Sequence, residues 1–457
     1  MVDVPIFTRH NHPAFNPRYS FLDYQRYARW DIAEWQAANR ARPRNVPDTP
    51  SDRLRHLFFA LLSGKWHWQP PTEKINGADL RRILVFRYDK IGDYICATPI
   101  LRWLKAALPH IEIDMISSHA NHSLACSDVQ VRAAFPIHPD KSFDWPSWRK
   151  AIQCARQNQY DVIVATGHIR SAKAAVLATL ISREAKKIAI EHDKRAAIYG
   201  LVFDYQTPMI AFEEHWGRTM LRAVMNAIEP VRPTHEADTQ TYLSLNECDF
   251  DAIDEIAHRE GLEFMPPKEN LFLKTGSLEN LPRHAGNPYC VVNVAASRFK
   301  PDCAWAKERV VEACQMLLRR FPDWFVFVTG APAEKQVVQT VVETVRNARC
   351  QALMLPLLSA AAAISGAKFV LTPDTATVHI ASAAGVPVVG LYATLRSIAE
   401  WYPYQSPFAL LLSPNEGSIN QIPIVRVSDA IEKLCEETQL CKKQARRLET
   451  QDIQPIL

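Results

Sequence analysis

Asp93 is the first residue that could do chemistry, because it follows the apolar segment RILVFR (82–87) after a short polar loop. Such a segment predicts a buried strand, and the apolar pattern after it predicts a helix to about Ala107. We expect Gly92 to let the backbone turn tightly, which would place the Asp93 carboxylate at the carboxyl edge of a sheet. There it could accept a proton from a hydroxyl group as a general base. The alternative is that Asp93 caps the helix.

A second junction of a strand and a helix lies in the segment KFVLTPDTATVH. The amides of residues 375–377 would lie at the helix N-terminus, where unpaired N–H groups and the helix dipole favour a diphosphate. His379 follows one turn later and could reach an anionic oxygen. The alternative is that Asp374 caps this helix and that His379 is a packed helix residue.

Two further loops carry polar residues directly after a predicted strand. Ser297 and Lys300 follow YCVVNV (289–294), and a hydroxyl with a cation would suit a phosphate, although a solvated loop is the alternative. Glu334 follows WFVFVTG (324–330). Its carboxylate could accept hydrogen bonds from ribose hydroxyls, or it could simply stabilise the first turn of a helix.

The remaining candidates are basic residues of the first half, which could meet an anionic acceptor or form a solvated face. They are Arg170, Lys173, Lys186, Lys187, Lys194 and Arg195. The 15 histidines form no H-E-x-x-H pattern, and no C-x-x-C or G-x-S-x-G occurs. The sequence therefore predicts neither a metal site nor a serine hydrolase.

These residues need a scaffold, and the chain from residue 81 onward predicts one. Short β-branched runs alternate with amphipathic stretches of helical length, which is typical of an α/β fold with doubly wound parallel sheets. Strands are predicted at 82–87, 112–117, 161–166, 187–190, 289–294, 324–329, 368–372 and 387–392. Two such halves would face each other across a cleft, where ligands bind in these folds.

The predicted organisation has five parts. They are an N-terminal, mainly helical extension (1–80, with helices at 21–38 and 52–62), a Rossmann-like domain (81–240), a linker region (241–287), a second Rossmann-like domain (288–440) and a tail (441–457). The extension is rich in arginine, proline and aromatic residues. Its composition would suit a membrane surface, and a packed helical extension is the alternative.

The composition excludes several classes of protein. Only 14 of 457 residues are glycine, and neither G-x-G-x-x-G nor a P-loop motif occurs, which argues against glycine-cradled dinucleotide and P-loop sites. A net charge of +4 is too small to suggest a nucleic-acid-binding protein. The ten cysteines are scattered singly, and no signal peptide or membrane span is apparent. We therefore expect reduced thiols and a cytoplasmic protein.

Four segments together resemble glycosyltransferase family 9, the ADP-heptose:lipopolysaccharide heptosyltransferases. They are ILVFRYDKIGDYICATPILRWLK, YDVIVATGHIRSAKAAVLATLIS, VVNVAASRFKPDCAW and LPLLSAAAAISGAKFVLTPDTATVHIASAAGVPVV, and the resemblance spans about residues 82–412. It implies the GT-B fold and an inverting transfer of a sugar. The donor would be a nucleotide sugar such as ADP-heptose, bound as a substrate with no separate cofactor or metal. The acceptor would be a lipopolysaccharide-type glycan or glycolipid at the cytoplasmic face of the inner membrane.

The resemblance also implies a role for particular residues. It makes Asp93 the catalytic base. From their charge, we expect the basic residues Arg170, Lys173 and Lys187 of the first domain to contact the acceptor. The residues implied for the donor are Ala296, Ser297, Lys300, Glu334, Leu358, Asp374, Thr375, Ala376 and His379. Ala376 stands where the family motif D-T-G-x-x-H has glycine.

Two other functions are compatible with the same fold. A nucleotide-sugar epimerase would need several carboxylates and histidines at the cleft. A non-catalytic binding or assembly protein would keep the fold and use residues 1–80 to dock a partner. Turnover that moves the sugar to an acceptor distinguishes a transferase from both alternatives.

Overall fold

The computed structural model describes two compact units. The N-terminal unit comprises Asp31–Glu247 and Lys268–Glu279, and the C-terminal unit comprises Met1–Trp30, Cys248–Pro267 and Asn280–Leu457. The described residues are 4–16, 49–67, 71–138, 145–167, 171–191, 200–209, 214–295 and 301–438, with the single residues Arg18, Tyr27, Asp31, Ala33, Glu34, Ala37, Gln69, Ile198 and Phe212.

Helices and strands alternate along most of the described chain. The helices are α1 (Pro50–Ser63), α2 (Ile91–Ala107), α3 (His122–Ser127), α4 (Trp145–Arg156), α5 (Ser171–Ile181), α6 (Trp216–Ala227), α7 (Asp251–Glu260), α8 (Lys307–Arg320), α9 (Lys335–Val345), α10 (Leu357–Ser365), α11 (Ala376–Ala383), α12 (Leu395–Trp401) and α13 (Ile424–Thr438). The strands are β1 (Ile6–Thr8), β2 (Ile75–Asn76), β3 (Arg82–Arg87), β4 (Glu112–Ser118), β5 (Ala133–Ile137), β6 (Val162–Ala165), β7 (Lys186–Glu191), β8 (Tyr205–Pro208), β9 (Ile228–Glu229), β10 (Leu243–Leu245), β11 (Leu271–Leu273), β12 (Tyr289–Asn293), β13 (Phe325–Thr329), β14 (Cys350–Ala352), β15 (Val370–Pro373), β16 (Val388–Tyr392) and β17 (Phe408–Leu412).

The N-terminal unit is built on a parallel sheet whose described strands follow the order β5-β4-β3-β6-β7-β8. β3 is central, and its register pairs Leu84 with Asp114 on one side and with Ile163 on the other. Parallel neighbours need crossover connections, and the intervening helices supply them. The sheet confirms the α/β prediction for this half. Two of its strands, β5 and β8, were not predicted, because both are short and contain proline.

The C-terminal unit contains a second sheet, with the described strands in the order β1-β17-β16-β15-β12-β13-β14. All neighbours are parallel except β1, which pairs antiparallel with β17 through Phe7 and Leu410. The start of the chain therefore forms an edge strand of this sheet, which no pattern in the sequence indicates. Doubly wound α/β architecture is the predicted fold class, and both units have it.

Each unit has its own apolar core. In the N-terminal unit the core combines strand residues such as Leu84 and Ile163 with Trp148 and with Phe59 of α1. In the C-terminal unit it lies between the sheet and the helices α8, α9 and α13. The region 241–287 contributes to both units, since β10 and β11 belong to the first and α7 belongs to the second.

The described parts of the N-terminal extension include one of the two predicted helices. The prediction at 52–62 is confirmed by α1, where the Thr49 side chain accepts a hydrogen bond from the Asp52 amide. Gly64 ends the helix with a φ of 72°, a conformation that favours glycine. The helix predicted at 21–38 and the tail 441–457 lie outside the described residues or are represented there by single residues. Among the described helices none is long and apolar enough to cross a membrane.

His12 anchors the start of the chain on the C-terminal unit. Its ring is buried and lies 4.4 Å from the Tyr402 ring and 5.8 Å from the Phe408 ring, measured between centroids. Its Nε2 lies 3.4 Å from the Ile398 carbonyl oxygen. Because burial disfavours the imidazolium, the pKa of His12 falls from 6.5 to about 4.

We expect acid to weaken this unit through His12. The folded-state pKa lies below that of the unfolded chain, so this contribution to stability is complete above pH 6.5 and decreases as the pH falls toward 4. At pH 5 the loss should be about 2 kcal/mol of unfolding free energy. His12→Gln should flatten the decrease between pH 7 and pH 5 in urea unfolding. His10→Gln is the control, since the His10 side chain is exposed, and an equal effect of both variants would contradict the assignment.

Candidate functional site

Asp93 lies in the first turn of α2, directly beyond the carboxyl end of the central strand β3. The helix begins at Ile91, and its N-cap residue is Lys90. The interpretation of Asp93 as the N-cap is therefore wrong, although its carboxylate accepts a hydrogen bond from the Lys90 amide. Gly92 does not form the expected tight turn, because it is the second residue of the helix and does not have a positive φ. Asp93 has its predicted position at the sheet edge because the helix α2 begins there.

A buried ion pair lies at this helix start. Arg87 Nη2 donates to Asp89 Oδ2 over 2.8 Å, and the two side chains are 0% and 3% exposed. Arg87 Nη1 also donates to the Asp93 carbonyl oxygen over 3.3 Å. A second contact, of 2.8 Å, joins Nη1 to the Met220 sulfur. Arg87 therefore connects the end of β3, the following loop and the first turn of α2.

Two polar residues at the end of β4 hold the same loop. Asn121 Nδ2 donates to the Arg87 carbonyl oxygen over 2.8 Å, and Ser118 Oγ donates to the Asp89 carbonyl oxygen over 2.7 Å. The Asn121 Oδ1 accepts from the Ser118 amide over 2.9 Å. Both side chains are buried, so these bonds replace the water that the loop backbone would otherwise need. None of these residues was predicted.

The surroundings of Asp93 raise the pKa of its carboxyl group to about 7. Desolvation is the largest cause, and the negative charge of Asp89 is the second, while Arg87 and Lys90 act in the opposite direction. The Asp93 residue as a whole is half-buried. A carboxylate with a near-neutral pKa can take up a proton at physiological pH, which is the property of a general base.

The structure separates the basic residues that were predicted on this side. Lys173 lies in the first turn of α5, which follows β6, and β6 is the parallel neighbour of β3. Helices that follow neighbouring parallel strands begin at the same edge of the sheet. Lys173 therefore lies at the same sheet edge as Asp93. Arg170 lies outside the described residues.

Lys187 does not belong to this edge, which corrects its assignment to an acceptor site. It is the second residue of β7, near the strand's amino end. Its buried ammonium donates to the carbonyl oxygens of Arg183 and Ala185 over 3.1 and 2.7 Å. Burial lowers the pKa of Lys187 to about 8. The ammonium group is therefore occupied by backbone carbonyl oxygens at the amino end of the strand.

In the C-terminal unit the predicted phosphate segment forms a junction between β15 and α11. The N-cap of α11 is Thr375, so the interpretation of Asp374 as the N-cap is wrong. The Thr375 side chain does not cap the helix. Its Oγ1 instead accepts from Asn293 Nδ2 over 2.9 Å and lies 3.1 Å from Thr372 Oγ1. The helix α11 begins at Ala376. The Thr375 side chain therefore does not compete for the backbone amides in its first turn.

Asn293 is a further residue that sequence reasoning missed. It is buried at the end of β12, and its Nδ2 donates to Thr372 as well as to Thr375. Its Oδ1 accepts from the Ala295 amide over 3.1 Å. One amide group therefore fixes the chain after β12 and the chain after β15. A single asparagine in the apolar run YCVVNV was the signal for it.

His379 is the fourth residue of α11 and is packed against its surroundings. It is 6% exposed, and its ring lies edge to face with Trp401, 5.9 Å between centroids. His379 is therefore surrounded as a packed helix residue would be, which is the alternative given above. A direct contact with an anionic oxygen remains a prediction.

Glu334 lies in a turn of the same unit, and Leu358 lies at the start of a helix. Glu334 ends a short 3-10 turn after β13, and its Oε2 is buried with no hydrogen-bond partner among the described residues. Gly330 permits this arrangement, because a Cβ there would lie 3.1 Å from the Glu334 Cβ and from Val294. Leu358 is half-buried in the first turn of α10.

Adjacent strands bring these groups to one edge. The strand β12 is parallel to both β13 and β15, so Asn293, the turn with Glu334 and the start of α11 all follow the carboxyl ends of neighbouring strands. This is the edge at which open α/β sheets bind ligands. Ala296, Ser297 and Lys300 lie outside the described residues, and their placement stays a prediction.

Comparisons with known proteins agree with this architecture. The family model for glycosyltransferase family 9 (heptosyltransferase) matches residues 148–421, which is more than half of the chain. A glycosyl transferase family 9 structure from Veillonella parvula is similar, with a TM-score of 0.60 and 17% identity over 78% of this chain and 98% of that chain. Comparison with curated proteins gives no match.

Two structures from E. coli are similar to the same extent. ADP-heptose lps heptosyltransferase II has a TM-score of 0.58 and 17% identity, covering 78% of this chain and 99% of that chain. Heptosyltransferase WaaC with ADP has a TM-score of 0.56 and 20% identity, covering 77% and 99%. These likenesses show the shared fold, and the family match shows the membership. The chain belongs to glycosyltransferase family 9, the heptosyltransferase family, as its four sequence segments indicate.

Proposed function

We propose that this glycosyltransferase moves a sugar from a nucleotide diphosphate to a hydroxyl group of a lipopolysaccharide-type glycan or glycolipid, with inversion at the anomeric carbon. The observation that carries the proposal is the carboxyl group of Asp93, with its near-neutral pKa at the sheet edge. The sugar is heptose and the nucleotide is ADP if the donor resembles that of the E. coli neighbours, one of which was solved with ADP-2-deoxy-2-fluoro heptose.

In the proposed reaction Asp93 takes the proton of the acceptor hydroxyl group. The hydroxyl oxygen attacks the anomeric carbon as the bond from that carbon to the diphosphate oxygen breaks. The electron pair leaves with the nucleoside diphosphate, and the proton stays on Asp93. General-base catalysis of this kind contributes about 10²- to 10⁴-fold to the rate. Asp89 supports it, because its negative charge raises the proton affinity of Asp93.

The departing diphosphate needs compensation for its negative charge. We assign this role to the amides at the start of α11 and to Ser297 and Lys300. The first assignment is supported by the Thr375 side chain, which makes no capping hydrogen bond to the helix. Asn293 positions the start of α11 through Thr375. Ala296 and Ala376 are assigned as small residues beside the diphosphate. Asp374 and His379 complete the donor set.

The nucleoside is assigned to Glu334 and Leu358. The buried Oε2 of Glu334 lacks a partner within the described chain, and ribose hydroxyls would supply the missing donors. The half-buried Leu358 would contact the base. On the acceptor side, Lys173 and Arg170 are assigned to anionic groups of the acceptor. We place the reaction at the cytoplasmic face of the membrane that carries a lipid-linked acceptor.

Asp93→Asn should abolish most of the sugar transfer. The amide cannot take up the proton, so kcat should fall at least about 100-fold, while the Kd for the nucleoside diphosphate should stay near that of the wild type. Transfer is measured by release of the nucleoside diphosphate, and Kd by calorimetry. Asp251→Asn, an exposed position in α7, is the matched control. Wild-type turnover by Asp93→Asn would contradict the assignment of the base.

The rate should depend on pH through the same group. Asp93 is protonated below its pKa of about 7, so kcat/KM should decrease about tenfold for each pH unit below that value and level off above it. Initial rates between pH 5 and pH 9 measure the profile. A rate that is constant down to pH 5 would exclude a base with a raised pKa.

Glu334→Gln should weaken nucleotide binding about tenfold, because a charged acceptor for the ribose hydroxyls is lost. Calorimetry with a nucleoside diphosphate measures the change. A 2′,3′-dideoxy analogue is the control, since it lacks the hydroxyls and should bind equally to the variant and the wild type. An equal loss for both ligands would show that Glu334 does not contact the ribose.

A further inference from the structure

The helix α1 of the N-terminal extension presents an apolar stripe to solvent. Leu54, Leu57, Phe58 and Leu61 follow the spacing i, i+3, i+4, i+7, which places them on one helix face. Their exposed fractions are 68, 42, 52 and 69%. Single exposed apolar residues are common, but a contiguous stripe along a helix usually marks a contact surface.

The opposite face of α1 is fixed to the N-terminal unit. Phe59 and Ala60 are buried in the apolar core of that unit. Just beyond the helix, Lys65 Nζ donates to Asp204 Oδ1 over 2.6 Å, and Asp204 Oδ2 accepts from the Lys187 amide at the start of β7. The exposed stripe is therefore held on a packed element and is not the result of a loose terminus.

Basic side chains border the stripe. With 100° between successive residues, Arg53 lies on one side of the apolar residues and Arg55 on the other. Asp52 is the only acidic residue in the sequence of α1, and it is paired with Arg55 over 3.0 Å. Trp66, which is 55% exposed, follows the helix. An apolar stripe with arginine at its borders and a nearby tryptophan is the pattern of a helix at a lipid interface.

We propose that α1 docks the enzyme on an anionic phospholipid bilayer, with the stripe in the acyl boundary and the arginines at the phosphate groups. This deepens the proposed function, since it rests on a lipid-linked acceptor, but it concerns a helix outside the catalytic site. Arginine stems cover apolar surface while their charged heads reach the phosphates. A second copy of the chain is the less suitable occupant, because two stripes face to face would bring arginines from both copies to one rim.

Vesicle flotation tests the proposal with the full chain. The wild type should bind vesicles of phosphatidylglycerol and phosphatidylethanolamine and bind phosphatidylcholine vesicles more weakly. The double variant Phe58→Ser/Leu61→Ser should lower the partition coefficient at least about tenfold, since two large side chains no longer enter the lipid. Met265→Ser is the matched control, because Met265 is 60% exposed on the C-terminal unit. It should bind like the wild type.

Arg53→Gln tests the electrostatic part. It should lower binding to phosphatidylglycerol vesicles about fivefold and leave binding to phosphatidylcholine unchanged. Thermal melting of each variant confirms that the fold is intact.

Three results would overturn the proposal. They are no binding of the wild type to anionic vesicles, equal binding by the double variant, or a dimer in light scattering that the double variant abolishes. The last result would assign the stripe to a second copy. Transfer to a delipidated, water-soluble acceptor should be the same in the double variant and the wild type. Loss of vesicle binding with intact transfer therefore separates this inference from the proposed function.

Discussion

A buried arginine needs a counter-charge, and the pair of Arg87 and Asp89 meets this need at the start of α2. The same guanidinium binds the Asp93 carbonyl oxygen, so the pair also positions the helix turn that carries Asp93. Removal of one partner from such a pair typically destabilises a protein by about 3–5 kcal/mol. In the intact protein the negative charge of Asp89 lies beside Asp93 and raises the pKa of the Asp93 carboxyl group. One interaction thus serves both the fold of the loop and the proposed base.

In the C-terminal unit, neutral groups position the start of the helix α11. Asn293 bonds to Thr372 and Thr375, which keeps the N-cap hydroxyl away from the helix it precedes. The two units therefore differ in the device that positions a helix start. A charged pair supports the group proposed to accept a proton, and an amide network holds the Thr375 hydroxyl group that precedes α11. Both devices lie beyond the carboxyl ends of parallel strands.

Much of the scaffold could be predicted from sequence, because buried parallel strands have continuous apolar runs. The strand at 82–87 has the predicted bounds, and the position of Asp93 at the sheet edge followed from it. The strand β1 could not be predicted, since its partner β17 lies about 400 residues away in the chain. Arg87 was missed because a charged residue at a strand end usually reaches solvent. Lys187 was assigned wrongly because its basic character is visible in the sequence, whereas its bonds to two carbonyl oxygens are not.

Beside burial, the negative charge of Asp89 raises the proton affinity of Asp93. Carbon-13 NMR of the labelled Asp93 carboxyl group, titrated in the wild type and in Asp89→Asn without substrate, tests it most directly. We expect a titration midpoint near pH 7 in the wild type and a lower midpoint in the variant, where the negative neighbour is gone and Arg87 remains. A wild-type midpoint near the ordinary aspartate value of about 4, or the same midpoint in both proteins, would contradict it.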